Sequence, residues 1–194
     1  EIIASGKIGR VVSISANLGY KIAHKKRIQD PKLAGGALLD VGVYALNFAM
    51  MFAHSQLASI SGLANIKDGV DARNSVSLAF QDGTMASVSS DTETNTDRRG
   101  IIYGTEGVIV IENINNPEKI TVYDGEKKPQ ELSSETIEHE VNGYEYEIRE
   151  CADCLAKGLL EPPSMPWAET VRVLKVTDSL RSIWGIKLAS EITV

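Results

Sequence analysis

Gly35-Gly36-Ala37-Leu38-Leu39-Asp40-Val41-Gly42-Val43-Tyr44-Ala45-Leu46-Asn47 places three polar side chains inside an otherwise apolar run. Continued to Phe52, the run predicts a buried helix over Ala37–Phe52. Asp40 and Tyr44 are four apart and Asn47 lies one turn further on. At 1.5 Å per residue the three form one polar line about 10 Å long. Gly42 in a helix interior costs about 1 kcal/mol relative to alanine, a cost best tolerated where another backbone or a ligand comes close. Gly35-Gly36 gives the chain the same freedom to approach a ligand or cofactor as it enters the helix.

The flanking sequence reads as a sheet. Arg10–Tyr20 alternates, with Val12, Ile14, Ala16, Leu18 and Tyr20 on one side and Ser13, Ser15 and Asn17 on the other. His24–Lys32 is basic and polar and reads as a loop leading into the glycine pair. Downstream, Ala58–Ile66, Ser75–Phe80, Met85–Ser90, Ile101–Tyr103, Val108–Glu112 and Lys119–Tyr123 are short β-like runs. Asp82-Gly83, Gly104-Thr105-Glu106-Gly107 and Asp124-Gly125 punctuate them as tight turns of antiparallel hairpins. Tyr144, Ile148, Cys151 and Leu155 then recur at helical spacing up to Gly158, a residue suited to a left-handed helix end. A last helix follows Pro162-Pro163, with Ser164 as expected N-cap, Pro166 in the first turn, and Val173, Val176, Leu180, Ile183 and Trp184 as its stripe.

These elements predict an α+β fold: a mostly antiparallel open sheet with helices packed on one face, formed by residues 1–194 as a single domain. Ser87, Ser89, Ser90, Thr92 and Thr94 assign the other face either to water or to an oligomer interface. No strand, glycine turn and helix of the Gly-x-Gly-x-x-Gly kind occurs, so a Rossmann unit is absent from the sequence.

Of the 194 residues 43% are hydrophobic and 24% charged, an ordinary globular composition. The net charge of −6 argues against a nucleic-acid or anionic-membrane partner and favours a small molecule. Two cysteines, Cys151 and Cys154, make no disulfide framework, which points to a reducing, cytoplasmic setting. Val41–Ala53 falls short of the roughly 18 clean apolar residues of a membrane span. The chain opens Glu1-Ile2-Ile3-Ala4, with no initiator Met and no leader, and is expected to be a piece of a longer protein. His24, His54 and His139 lack ligand spacing, so no metal site is expected. Cys151 and Cys154 read as helix core residues, and Gly104–Gly107 as a turn.

A carboxylate and a phenol one turn apart suit a polyol or hydroxy-carbonyl compound, the phenol exchanging a proton and the carboxylate fixing the neighbouring hydroxyl. A phenol titrates near 10, so such a base needs a nearby cation, worth roughly 1–3 units. The same spacing equally suits a buried Asp capping loop amides beside a core Tyr.

The Gly35–Leu46 stretch resembles the substrate-domain motif of the glucose-fructose oxidoreductase and inositol dehydrogenase (Gfo/Idh/MocA) family, in the dihydrodiol-dehydrogenase-like branch that carries Tyr rather than His. The likeness continues through Ile3-Ala4-Ser5-Gly6-Lys7-Ile8-Gly9, Gly104–Gly107 and Met165-Pro166-Trp167. The resemblance implies the C-terminal substrate and dimerisation domain of an oxidoreductase whose N-terminal Rossmann domain holds NAD or NADP. It implies hydride transfer between nicotinamide and a sugar, polyol or diol, with Tyr44 as acid-base and Asp40 orienting the substrate. It places the Lys of the family's Glu-Lys-Pro motif in the N-terminal domain; Glu126-Lys127-Lys128-Pro129 lies in a hairpin and is not that motif. Asn47 stands where many members carry Asp, and its amide offers donors as well as an acceptor. Arg27, in the basic cluster His24–Arg27, is a further candidate for substrate binding. A homo-oligomer joined through the open sheet face is implied as well. The alternative is a non-catalytic dimerising or ligand-sensing domain that keeps the fold.

Overall fold

Alternating burial runs along β1 (Val11–Gly19): Ile14, Ala16 and Leu18 are buried, while Ser13, Ser15 and Asn17 face outward. The computed structural model describes residues 1–191. After β1 come a one-turn helix α1 (Lys26–Gln29), a 3-10 turn (Pro31–Leu33), a π-helical turn (Leu38–Gly42) and α2 (Val43–Phe52). Then follow β2 (Leu57–Lys67), β3 (Val70–Phe80), β4 (Met85–Asp91), β5 (Gly100–Gly104), β6 (Gly107–Glu112), β7 (Lys119–Asp124) and β8 (Glu131–Thr136). Helices α3 (Tyr144–Ala156) and α4 (Trp167–Trp184) complete the order.

The strands form one eight-stranded sheet in the order β2-β3-β4-β1-β5-β6-β7-β8. Every neighbouring pair is antiparallel except β1 and β4, which run parallel in the register Ser13 to Met85 through Gly19 to Asp91. A parallel pair needs a crossover, and the segment carrying α2 supplies it by passing over the sheet face. α2 packs on β1 and β4, and α4 packs on α2 and β2, so the core lies on one side of the sheet. Ile14, Leu46, Met50, Leu78, Ile102 and Leu180 are among its fully buried members. Pro31–Phe52 is long and apolar enough to match a membrane span by composition, yet most of it is buried here. Left-handed Ala34 (φ 54°) and the positive φ of Gly36 (109°) also interrupt it.

Several elements depart from the expected ones. β8 is an additional strand, exposed along its whole length and bearing Leu132 as its one apolar residue, so no alternation marks it. The basic stretch before the glycines contains α1 rather than loop alone. The β2–β3 turn is Asp68-Gly69, both at positive φ, so β3 begins five residues earlier than its serines suggest. α4 is capped at Pro166, not Ser164. Ser164 instead donates its hydroxyl to Glu150 Oε2 at 2.5 Å, and the Trp167 N–H is met by Glu161 Oε2 at 2.6 Å. Ile183, assigned to the α4 stripe, is exposed, and so is Cys151 on α3. Ser90 and Thr92 are buried on or beside the helix-covered face, leaving Ser87 and Ser89 on the open one.

The end of α4 carries a buried Arg181, 4% exposed, which donates to Glu191 Oε2 at 2.9 Å and Asp178 Oδ1 at 2.8 Å. The Arg181 bond, with the Leu188 N–H, brings the Glu191 carboxyl down to about 2 from its ordinary 4.5. A depressed carboxylate contributes stability that is full above the unfolded pKa and is lost as pH falls through the folded one. Glu191→Gln is therefore expected to flatten stability against pH between 4.5 and 2, read as urea midpoints of both proteins at pH 6 and pH 3. Equal acid losses in both proteins would show that this pair contributes nothing.

Candidate active site

The helical segment is set by a buried carboxylate that pattern reading passed over. Asp71, 2% exposed on β3, accepts the Leu38 N–H at 2.8 Å and the Asn74 side-chain amide at 2.7 Å, both on Oδ2. Asn74 also donates to Ser90 Oγ at 2.7 Å. Burial pushes the Asp71 carboxyl above its ordinary range, while Asn74 and Leu38 pull the other way. The Leu38 N–H is one of the donors that the start of a helix leaves open, and Asp71 meets it from across the fold.

The glycine pair answers to this packing. A Cβ on Gly35 would lie 2.5 Å from Ile28 O, and one on Gly36 would lie 2.3 Å from Asp71 Oδ1. Gly35 and Gly36 make their close approach, within the fold, to the protein's own backbone and to Asp71. Gly42 is used in the same way, since a Cβ there would come 2.7 Å from Ser90 Oγ.

Asp40 sits in the π-helical turn, a wide i→i+5 turn of a kind frequent at functional sites. The expected straight α-helix from Ala37 therefore changes type at Val43. The expected single polar line divides at the same place. The Asp40 side chain is 17% exposed and is taken by Arg27 of α1, whose guanidinium hydrogen-bonds to Asp40 Oδ1. That bond and the carboxylate charge raise the Arg27 pKa above its ordinary value. Tyr44 is 51% exposed, and its hydroxyl has no hydrogen-bond partner among the described residues. Tyr44 and Asn47 share a cavity of about 190 Å³ against Met165, Thr170 and Leu174 of the α4 region.

On its other side Tyr44 borders a cavity of about 400 Å³, walled by the β6–β7 loop and by the segment leading into α3. Glu145 braces that segment by accepting the N–H groups of Val141, Asn142 and Gly143 at 3.0, 3.1 and 2.8 Å. Desolvation works upward on this carboxyl, but the backbone donors outweigh it and hold it at about 2. Pattern reading missed Asp71, Glu145 and this second wall. The one available signal was an Asp interrupting Val70-Asp71-Ala72, at a position inside a strand.

The chain's own residues do not fit the phosphates of a dinucleotide. Such a site needs a glycine turn between a strand and the helix that follows it, whereas β1 leads through Gly19-Tyr20 into irregular chain, and no other strand is followed directly by a glycine turn and helix among the described residues.

A family model of the GFO/IDH/MocA C-terminal domain matches residues 1–110. The trans-1,2-dihydrobenzene-1,2-diol dehydrogenase of Mus musculus is 31% identical over 193 residues, covering 96% of this chain. The Homo sapiens enzyme of the same name is 27% identical over 193 residues, again 96% of this chain. The chain spans 57% of the length of each of these relatives. Among solved structures, an aldose-aldose oxidoreductase from Caulobacter crescentus complexed with glycerol superposes with a TM-score of 0.76 at 19% identity, over 93% of this chain and 55% of that one. A 3-ketoreductase from Actinomadura kijaniata in complex with NADP and TDP-benzene reaches 0.79 at 19% identity, over 93% of this chain and 56% of that one.

Proposed function

Because the chain belongs to the Gfo/Idh/MocA family, as its C-terminal domain, we propose that it is the substrate side of an NAD(P)-dependent oxidoreductase acting on a sugar, polyol or diol. The observation that carries this reading is Tyr44: a half-exposed phenol on a helix packed mostly into the core, its hydroxyl without a partner among the described residues, beside a cavity of about 400 Å³. Tyr44 holds the substrate hydroxyl and moves its proton. Asp40, fixed by Arg27, presents a pre-oriented ion pair to the substrate's neighbouring oxygen. Asn47, on the same wall as Tyr44, adds an amide. A dinucleotide held by an N-terminal domain would supply the hydride chemistry, and that domain would also bring the cation a phenolic base needs. The open sheet face, with Met85 and Tyr103 exposed on it, serves as the contact between copies of the protein.

Two titrations test this reading. The chain alone is expected to show no measurable NADH or NADPH binding by fluorescence, whereas the full-length protein binds in the micromolar range usual for such sites. Micromolar binding to the chain alone overturns the division of labour. Absence of NAD(P)-dependent turnover by the full-length protein, across sugars, polyols and trans-1,2-dihydrobenzene-1,2-diol, favours a non-catalytic role.

A further inference from the structure

The π-helical turn that carries Asp40 is tied at both ends to one buried side chain that the proposed chemistry does not touch. Asn74 on β3 stands opposite Ser90 on β4 in the antiparallel register, and both are buried. The Asn74 amide uses both of its hydrogens: Nδ2 donates to Asp71 Oδ2 at 2.7 Å and to Ser90 Oγ at 2.7 Å. Each acceptor meets one end of the turn. Asp71 Oδ2 takes the N–H of Leu38, its first residue, at 2.8 Å. Ser90 Oγ lies where a Cβ on Gly42, its last residue, would come within 2.7 Å. Val41 and Ala37 pack with Leu18 of β1, so the turn is held by a polar clamp and an apolar contact together.

Such a clamp supplies direction more than stability. Replacing both partners of a buried hydrogen bond by apolar groups of the same shape can be nearly neutral, so an apolar set would serve folding about as well. A polar network specifies a single arrangement, because its groups are met in that arrangement alone. The arrangement here is an uncommon one. A π turn closes its hydrogen bond over one residue more than an α turn, and one residue step on a helix is about 100° of rotation. Relaxation of the turn to α would swing Asp40 by up to about 100° relative to Tyr44, whose own helix begins at Val43.

We propose that Asn74 is a positioning residue of the reaction: by joining Asp71 to Ser90 it keeps the turn π-helical, and so keeps the Asp40 carboxylate paired with Arg27 and aimed at the substrate. The assignment rests on the reading of Asp40 as the group that orients the substrate.

The test is a double-mutant cycle in the full-length protein, with Asn74→Leu and Asp40→Ala made singly and together and assayed where every variant is folded. NAD(P)H formation is followed with trans-1,2-dihydrobenzene-1,2-diol, or with the sugar or polyol best turned over in its place. Asn74→Leu is expected to lower kcat/KM for the alcohol by about tenfold or more, the scale of a slightly misplaced group, with KM for the dinucleotide unchanged. In the Asp40→Ala background the same substitution should have no effect to within about twofold, because the group it positions is gone. Ser90→Ala removes one arm of the clamp, leaves Asp71 both of its donors, and should act in the same sense but less; if Asn74→Leu does not fold, it takes that place in the cycle. Equal losses with and without Asp40 mark general damage to the fold and overturn the proposal, as does an Asn74→Leu protein as active as wild type; in both cases a loss in Asp40→Ala leaves the reading of Asp40 standing. Full activity of Asp40→Ala overturns that reading and the positioning role with it, and so does a wild type inactive on sugars, polyols and the diol alike.

Discussion

Tyr44→Phe in the full-length protein is expected to lower kcat by about 10²–10⁴-fold, the usual contribution of one positioned acid-base group, with NAD(P)H affinity unchanged. The substitution deletes one oxygen and nothing else. That oxygen has no partner among the described residues, and the ring is half exposed, so the fold should not register its loss. A thermal midpoint within about 2 °C of wild type, the change a few tenths of a kcal/mol produces in a domain of this size, is the control. Steady-state assays of NAD(P)H formation, paired with a cofactor titration, separate the outcomes. Loss of kcat with intact cofactor binding places the hydroxyl in the chemical step. Turnover close to wild type removes Tyr44 from that step and leaves Asp40, Arg27 and Glu147 as the charged groups to consider among the described residues around the site.

Local pattern carried much of this fold into view, and the reason lies in where the constraints are local. β1 reads to within one residue at each end because one face is buried and the other is not. Asp82-Gly83 and Gly104–Gly107 mark hairpins because the backbone conformations of such turns admit few residues, and Gly158 ends the α3 region at φ 67° for the same reason. β8 escaped because it sits at the edge of the sheet, where neither face demands apolar residues. In the site, Asp40 and Tyr44 stand out as polar groups within an apolar run. The partners that give them meaning do not. Arg27 reaches Asp40 from thirteen residues upstream, and Asp71 reaches Leu38 from thirty-three residues downstream. Tyr20 donates to Asn115 from ninety-five positions away in the chain. Periodicity reports which way a residue faces on its own element; it holds nothing about which distant group meets it there.

That non-local anchoring is where the largest loss of stability is expected. Gly36→Ala should destabilise the protein by about 3–5 kcal/mol, a large part of the 5–15 kcal/mol that holds a domain folded. Two separable costs add. A side chain at φ 109° is strained by about 1–3 kcal/mol. The new Cβ would also stand 2.3 Å from Asp71 Oδ1, and moving that buried carboxylate forfeits its bonds to Leu38 and Asn74, about 1–3 kcal/mol for the polar groups left unmet. Gly83→Ala provides the subtraction: Gly83 has φ 87° and nothing within 4 Å of its missing Cβ, so it carries the strain alone. Urea unfolding of both variants should therefore differ by about 2 kcal/mol, with Gly36→Ala the weaker. Equal losses would mean that Asp71 moves aside without cost and does not anchor the turn. If the difference appears, the effect should extend to chemistry, because the turn that Asp71 caps is the one that carries Asp40. At a temperature where Gly36→Ala remains folded, its turnover should fall below that of Gly83→Ala, whose altered turn lies between β3 and β4 on a different part of the chain.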